Sequence, residues 1–239
     1  MLRKSLTIVG IPALLWGDAS DRVYIHVHGK MSRKEAAEGF ALIAGEHGWQ
    51  TLSFDLPGHG ERAGLPDPCD VWTGVRDLNR IADYAFANWP RVSLFACSLG
   101  AYFALNAYGG RKLERCLFQS PIVDMKWLVG QMMRWSGVTP EQLRRDGRIE
   151  TPLDTLRWDY YQYILTHPVG DWPFPTSILY AGKDNLQPET SIRAFAQKYH
   201  ADLTIAENSE HPFLAPEDIP IVAEWMAAQV AEQNGPAPE

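Results

Sequence analysis

Short apolar runs alternate with helix-patterned stretches along most of the chain, and no other feature restricts its fold as tightly. "RVYIHVHG" precedes "RKEAAEGFALIAGEHG", in which Ala, Phe, Leu and Ile recur at helical spacing and Gly48 supplies a stop. "WQTLSFDLPGHG" is a strand ended by Pro57 and two glycines, and "VRDLNRIADYAFANW" is helical. "RVSLFACS" runs directly into the helical "LGAYFALNAYG", and "LERCLFQSP" is another strand. Later come "TSILYAGKD", the helical "PETSIRAFAQKYH", the strand "ADLTIAEN" and a final helix, "IPIVAEWMAAQVAEQ". Near the start, "SLTIVGIPALLWGD" and "DRVYIHVHG" read as two strands with a turn near Asp18 to Ser20. Strands that are apolar at consecutive positions and separated by helices imply a mostly parallel central sheet covered on both faces: an α/β fold.

One stretch breaks the rhythm. From about Asp124 to Pro175 the chain is rich in Trp, Tyr, Met and Arg, as in "MKWLVGQMMRWSGV" and "LRWDYYQYILTH". The patterning is helical and no strand is convincing. It reads as a small helical cap inserted between two strands of a single domain covering residues 1–239, and the tail "NGPAPE" reads as frayed.

Composition closes off several classes of function. A net charge of -7 and the lack of any Lys/Arg-rich run argue against a nucleic-acid or membrane-surface partner. No segment approaches the length of a membrane-spanning helix. The first residues, "MLRKSLTIVGIPALLWGD", lack a continuous apolar core and a small-x-small cleavage site, so no signal peptide is expected. Cys69, Cys97 and Cys116 are odd in number and lack metal-type spacing, which suits reduced thiols and a cytoplasmic protein. Oligomeric state is not legible.

Chemistry concentrates at strand ends. Ser98 lies where "SLFAC" meets a helix, with Ala96 and Gly100 two residues to either side. A strand–turn–helix serine needs small residues there because the backbones approach closely. On this segment alone, a nucleophile and a helix cap remain open. Shifting the frame to Cys97 puts Phe95 and Leu99 at the flanking places, where they would clash, so Cys97 reads as packing. In the strand-end reading, the Leu99 amide at the new helix's start and the Lys30 amide after "HVHG" would be the two donors to an oxyanion. Asp184 follows the strand "TSILYA", and His211 follows "LTIA" after a short loop. Serine, acid and histidine thus come in that order, each past a different strand, and parallel strands bring such ends to one edge. Asp124 is a rival acid that would otherwise anchor the cap. His47, His167 and His200 lie in helical or cap-border stretches. His28 reads as structural support, and so does His59 in "DLPGHGER", with Asp55 and Arg62 fixing that loop. His26 and His28 share a strand face, yet no Asp-His or Cys cluster completes a metal site, so no metal is expected.

These pieces together resemble the α/β-hydrolase superfamily over nearly the whole chain. The matching segments are "HGK", "DLPGHG", "ACSLGA", "GKDNLQP" and "SEHPF"; Ala96 departs from the more usual glycine. The look is that of a small-capped, esterase-like bacterial member. The resemblance implies Ser98, Asp184 and His211 as a catalytic triad, the Lys30 and Leu99 amides as an oxyanion hole, and no cofactor or metal. It implies hydrolysis of a small carboxylic ester through an acyl-enzyme. Thioester or peptide-amide hydrolysis on the same triad is the alternative, and a catalytically silent binding module of the same fold is the other class. The expected partner is a small-molecule acyl substrate. Trp127, Trp135, Trp158 and Tyr161 of the cap are the expected substrate-binding wall.

Overall fold

The structure is a computed structural model and describes residues 1–152 and 154–232. The tail "NGPAPE" lies outside the described residues. In chain order the elements are β1 (Arg3–Ile8), β2 (Ile11–Trp16), β3 (Arg22–Val27), α1 (Glu38–Glu46), β4 (Gln50–Phe54), α2 (Val71–Asn88), β5 (Arg91–Cys97), α3 (Ser98–Ala107) and β6 (Cys116–Gln119). Then come α4 (Met125–Trp135), α5 (Pro140–Asp146), β7 (Arg148–Glu150), β8 (Thr155–Arg157) and α6 (Trp158–Thr166). The chain ends on β9 (Thr176–Ala181), α7 (Glu189–Tyr199), β10 (Asp202–Ala206) and α8 (Asp218–Glu232).

The central sheet has eight strands in the order β1-β2-β4-β3-β5-β6-β9-β10. β2 runs antiparallel to both β1 and β4; every pairing from β4 through β10 is parallel. The strand period of two divides the core. Val23, Ile25, Leu94 and Phe118 bury one face against residues of α2, α3 and α7, such as Leu78, Phe103 and Ile192. Tyr24, Phe95, Leu117 and Leu179 bury the other against Phe40 of α1 and Trp225 of α8. Each such side chain contributes about 1.5–3 kcal/mol on leaving water.

Three sequence expectations need correction. The first predicted strand is a hairpin: Val9 and Gly10 both take positive φ, 48° and 80°, which turns the chain back on itself between β1 and β2. The insertion also holds a short two-stranded ribbon, β7 against β8, where none was expected. Three residues per strand are too few to show a period. The insertion shares the main core: Val129, Met133, Leu156 and Ile164 pack in the same cluster as the sheet face under α3. Asp70 caps α2 through the Thr73 amide at 3.0 Å, so this helix starts at Val71, a turn earlier than the apolar pattern suggests.

Candidate active site

The parallel strands all point their C-terminal ends to one edge, and Ser98, Asp184 and His211 meet there. Ser98 is the first residue of α3 and takes φ +47°, a left-handed conformation that costs an L-residue about 1–2 kcal/mol. Such strain persists only where the surroundings enforce it. Here α3 is pressed onto β3. A Cβ on Gly100 would stand 2.4 Å from the His28 carbonyl oxygen and 2.8 Å from that of Val27, so only glycine fits. Ala96 is fully buried in β5, between Val27 and Phe118 of the neighbouring strands.

His211 reaches Ser98 across 113 residues, with Nε2 2.9 Å from the hydroxyl oxygen. Its Nδ1 lies 2.7 Å from Oδ2 of Asp184. A carboxylate only accepts, so Nδ1 carries the proton and Nε2 turns a lone pair to the serine. The Asp184 side chain is fully buried. Its other oxygen, Oδ1, accepts the Leu186 and Gln187 amides at 2.7 and 3.1 Å, which satisfies the buried charge. The Lys183 amide donates to the Ser209 carbonyl at 2.9 Å, tying the acid's loop to the histidine's. The hydroxyl, imidazole and carboxylate form one continuous chain, and Ser98 is half-buried.

The two amides expected to hold an oxyanion belong to the two segments that meet at this serine, the start of α3 and the turn after Gly29. Leu99 belongs to the first turn of α3, whose N–H groups have no partner within the helix. Gly29 brings the other strand end close: a Cβ there would sit 3.2 Å from the Ser98 Cβ. His28 Nδ1 donates to the Gly29 carbonyl at 2.7 Å, while its Nε2 accepts the Leu56 amide at 3.0 Å. The Gly29 carbonyl and the Lys30 N–H belong to one planar trans peptide and point opposite ways. Fixing the carbonyl therefore aims the amide. Among the described residues no hydrogen bond uses the Lys30 amide. The Lys30 ammonium pairs with Asp154 in the inserted segment, which links the cap to this turn.

The remaining candidates fall elsewhere. Desolvation pushes the Cys97 thiol up to about 12, so it stays protonated at neutral pH. Burial drives His28 down to about 4 and His26 to about 3, which keeps both imidazoles neutral. Both nitrogens of His28 are engaged, leaving none for a metal. Asp124 caps α4, accepting the Trp127 amide at 2.8 Å and the Ser191 hydroxyl at 3.3 Å. It anchors the cap root instead of meeting His211. Gln187 was not singled out from sequence, yet its buried amide oxygen accepts the Val123 and Asp124 amides at 2.9 and 2.7 Å. Together with its main-chain bond to Asp184, that side chain joins cap root and acid loop; nothing in its sequence context signals it.

Of the four cap aromatics, Trp158 and Tyr161 pack on each other with ring centres 5.9 Å apart and lie partly buried against the core. Trp127 is half-buried on α4, and Trp135, at that helix's end, is 44% exposed. A cavity of about 450 Å³ opens between α3, α4, α6 and α7, bordered by Tyr102, Val123, Ile164 and Phe195. Neither the four aromatics nor the Ser98–His211–Asp184 group lines it.

Strand order, the strained turn at Ser98 and the serine–histidine–aspartate chain are those of an α/β hydrolase. Residues 24–224 match the alpha/beta hydrolase family, and the chain belongs to it. A comparison with curated protein sequences finds no match. Among solved structures, Est1E from Butyrivibrio proteoclasticus with ferulic acid bound is similar at 18% identity and TM-score 0.76, covering 96% of this chain and 98% of that one. Alpha/beta hydrolase domain-containing protein 10 from mouse is similar at 17% identity and TM-score 0.78, covering 98% and 100%. A thioesterase domain from the curacin biosynthetic pathway is similar at 16% identity and TM-score 0.61, covering 97% and 99%.

Proposed function

We propose that this hydrolase cleaves small carboxylic esters through an acyl-enzyme formed on Ser98. The observation that carries the reading is the Ser98 Oγ to His211 Nε2 distance of 2.9 Å, with the Nδ1 proton held by Asp184. As Oγ attacks the acyl carbonyl, its proton passes to Nε2 and the carbonyl oxygen becomes an oxyanion facing the Lys30 and Leu99 amides. Collapse expels the alcohol, which takes the proton from Nε2. Water, deprotonated by the same nitrogen, then attacks the acyl-enzyme and releases the acid and the free serine. Asp184 keeps the ring in the required tautomer and stabilises the imidazolium. No step calls for a metal or cofactor.

Aromatic residues of the insertion, Trp127, Trp135, Trp158 and Tyr161, are proposed as walls for the acyl group, favouring apolar or aromatic acids. The contact of Asp154 with Lys30 supports this placement, because it brings the cap to the edge of the site. All three cysteines are free thiols, which suits the cytoplasmic location proposed here. Among the described residues no helix is long and apolar enough to cross a membrane.

The test is labelling by a fluorophosphonate probe alongside turnover of an ester and thioester panel graded by acyl length. Ser98→Ala should abolish labelling and lower turnover on the order of a millionfold with an unchanged melting temperature. A folded Ser98→Ala protein that keeps more than a few per cent of turnover would overturn the assignment. Thioesters outpacing matched esters throughout would reassign the substrate class while leaving the residues in place.

A further inference from the structure

The oxyanion turn contains an unexplained conformation. Met31, directly after Lys30, takes φ +62° although it is neither glycine nor asparagine, and it is 92% exposed. A left-handed methionine costs about 1–2 kcal/mol, and a side chain in water packs against nothing that would offset it. The main chain must hold it. The Met31 amide donates to His59 Nε2 at 3.0 Å. His59 Nδ1 in turn donates to the Pro57 carbonyl at 2.8 Å, so the ring is the neutral Nδ1–H tautomer and its Nε2 lone pair is free to accept.

His59 is itself firmly placed. Its amide donates to the Leu56 carbonyl at 3.1 Å, and its own carbonyl accepts the Arg62 amide at 2.8 Å. The next residue, Gly60, lies so close to Asp55 that a Cβ would stand 2.2 Å from the carboxylate. Asp55 is buried and held by the Lys34 ammonium at 2.8 Å and the Glu61 amide at 3.0 Å.

The wiring is reciprocal. His28, in the oxyanion turn, takes an amide of the "DLPGHG" loop, that of Leu56; His59, in that loop, takes an amide of the oxyanion turn. The two rings meet edge to face with centres 5.3 Å apart. Lys30 is flanked by two peptide planes. The one before it is fixed through the Gly29 carbonyl by His28; the one after it is fixed through the Met31 amide by His59.

We propose that His59 is a positioning residue: by accepting the Met31 amide it locks the second peptide plane at Lys30 and keeps the Lys30 N–H aimed at the oxyanion. The proposal rests on the serine-hydrolase reading above. It gives His59 a role in catalysis through the turn, with no contact to substrate, where the sequence marked it as loop support only.

The experiment compares His59→Phe, which keeps a ring against His28 but cannot accept, with His59→Gln, which restores an acceptor without the ring. Each is assayed for kcat and KM on one ester, for melting temperature, and for inhibition by an aryl trifluoromethyl ketone, whose adduct with the serine carries an oxyanion. His59→Phe should lower kcat roughly ten- to a hundredfold, leave KM nearly unmoved and weaken the ketone by a similar factor. His59→Gln should recover most of both. Wild-type kcat and ketone affinity in His59→Phe would overturn the proposal, as would equal losses in both variants that follow the melting temperature. Imidazole nitrogen NMR of the wild-type protein gives an arm that needs no variant: a His59 proton on Nε2 overturns the proposal even if His59→Phe fails to fold. Ser98→Ala separates the two readings. If it stays active, the site assignment fails; if it is dead while His59→Phe is normal, only the positioning role fails.

Discussion

Two aspartates, each past a parallel strand, divide the site's chemistry at the level of single residues. Asp184 faces the imidazole and Asp124 faces the start of a helix. Asp184→Asn should keep the fold but present the wrong group to Nδ1, lowering kcat on the order of a thousandfold or more. Asp124→Asn should leave kcat within a few-fold of wild type, because asparagine caps a helix about as well as aspartate. Steady-state kinetics on both variants decides; a crippled Asp124→Asn beside a near-normal Asp184→Asn would move the acid to the other strand. That Ser98, Asp184 and His211 would meet was legible in the sequence, because each combines a reactive group with a position just past an apolar run. The main-chain partners of His59 and Gln187 were not. They are amides, and no side-chain pattern records where an amide points.

Among elements, legibility followed burial. β3, β5 and β9 are covered on both faces and so read as continuous apolar runs. The β1–β2 hairpin was read as one strand because its turn uses Val9, a residue that rarely adopts positive φ, with Gly10 as the lone signal. β7 and β8 were missed because a three-residue strand has no period to detect. The cap that carries them should act on selectivity. Trp158 opens α6 directly after the ribbon whose turn holds Asp154, the partner of Lys30. Trp158→Ala should therefore change the ratio of kcat/KM between short and bulky acyl esters by roughly tens-fold, since pocket contacts of this kind are worth about 1–3 kcal/mol. If every ester's kcat/KM scales by the same factor, the cap acts as a cover only.

For the whole molecule, acid is the expected weakness. His26 and His28 have ordinary values of 6.5 but are held at about 3 and about 4 in the fold by burial. The unfolded chain therefore binds protons first as the pH falls below 6.5. Their stabilising contribution is complete above that point and is lost progressively down toward the folded values, at about 1.4 kcal/mol per pH unit for each ring. His26 stacks on Phe95 with centres 4.9 Å apart and touches no residue of the proposed catalytic chain, so His26→Val isolates its share. Denaturant titrations across this range should show a shallower acid decline in His26→Val by about one proton; parallel declines would mean that His26 does not drive it. The reach of the Ser98–His211 contact has a separate consequence, for biosynthesis. The two partners stand 113 residues apart, and the imidazole comes from the loop after the last strand. A ribosome releases the serine long before the residue that would activate it. A nascent chain, or one truncated ahead of β10, thus carries the hydroxyl on its strained turn with no base to deprotonate it. On the proposed acyl-enzyme reading, acylating power would be withheld until synthesis and sheet closure are both done, so half-made chains would not modify themselves or their surroundings.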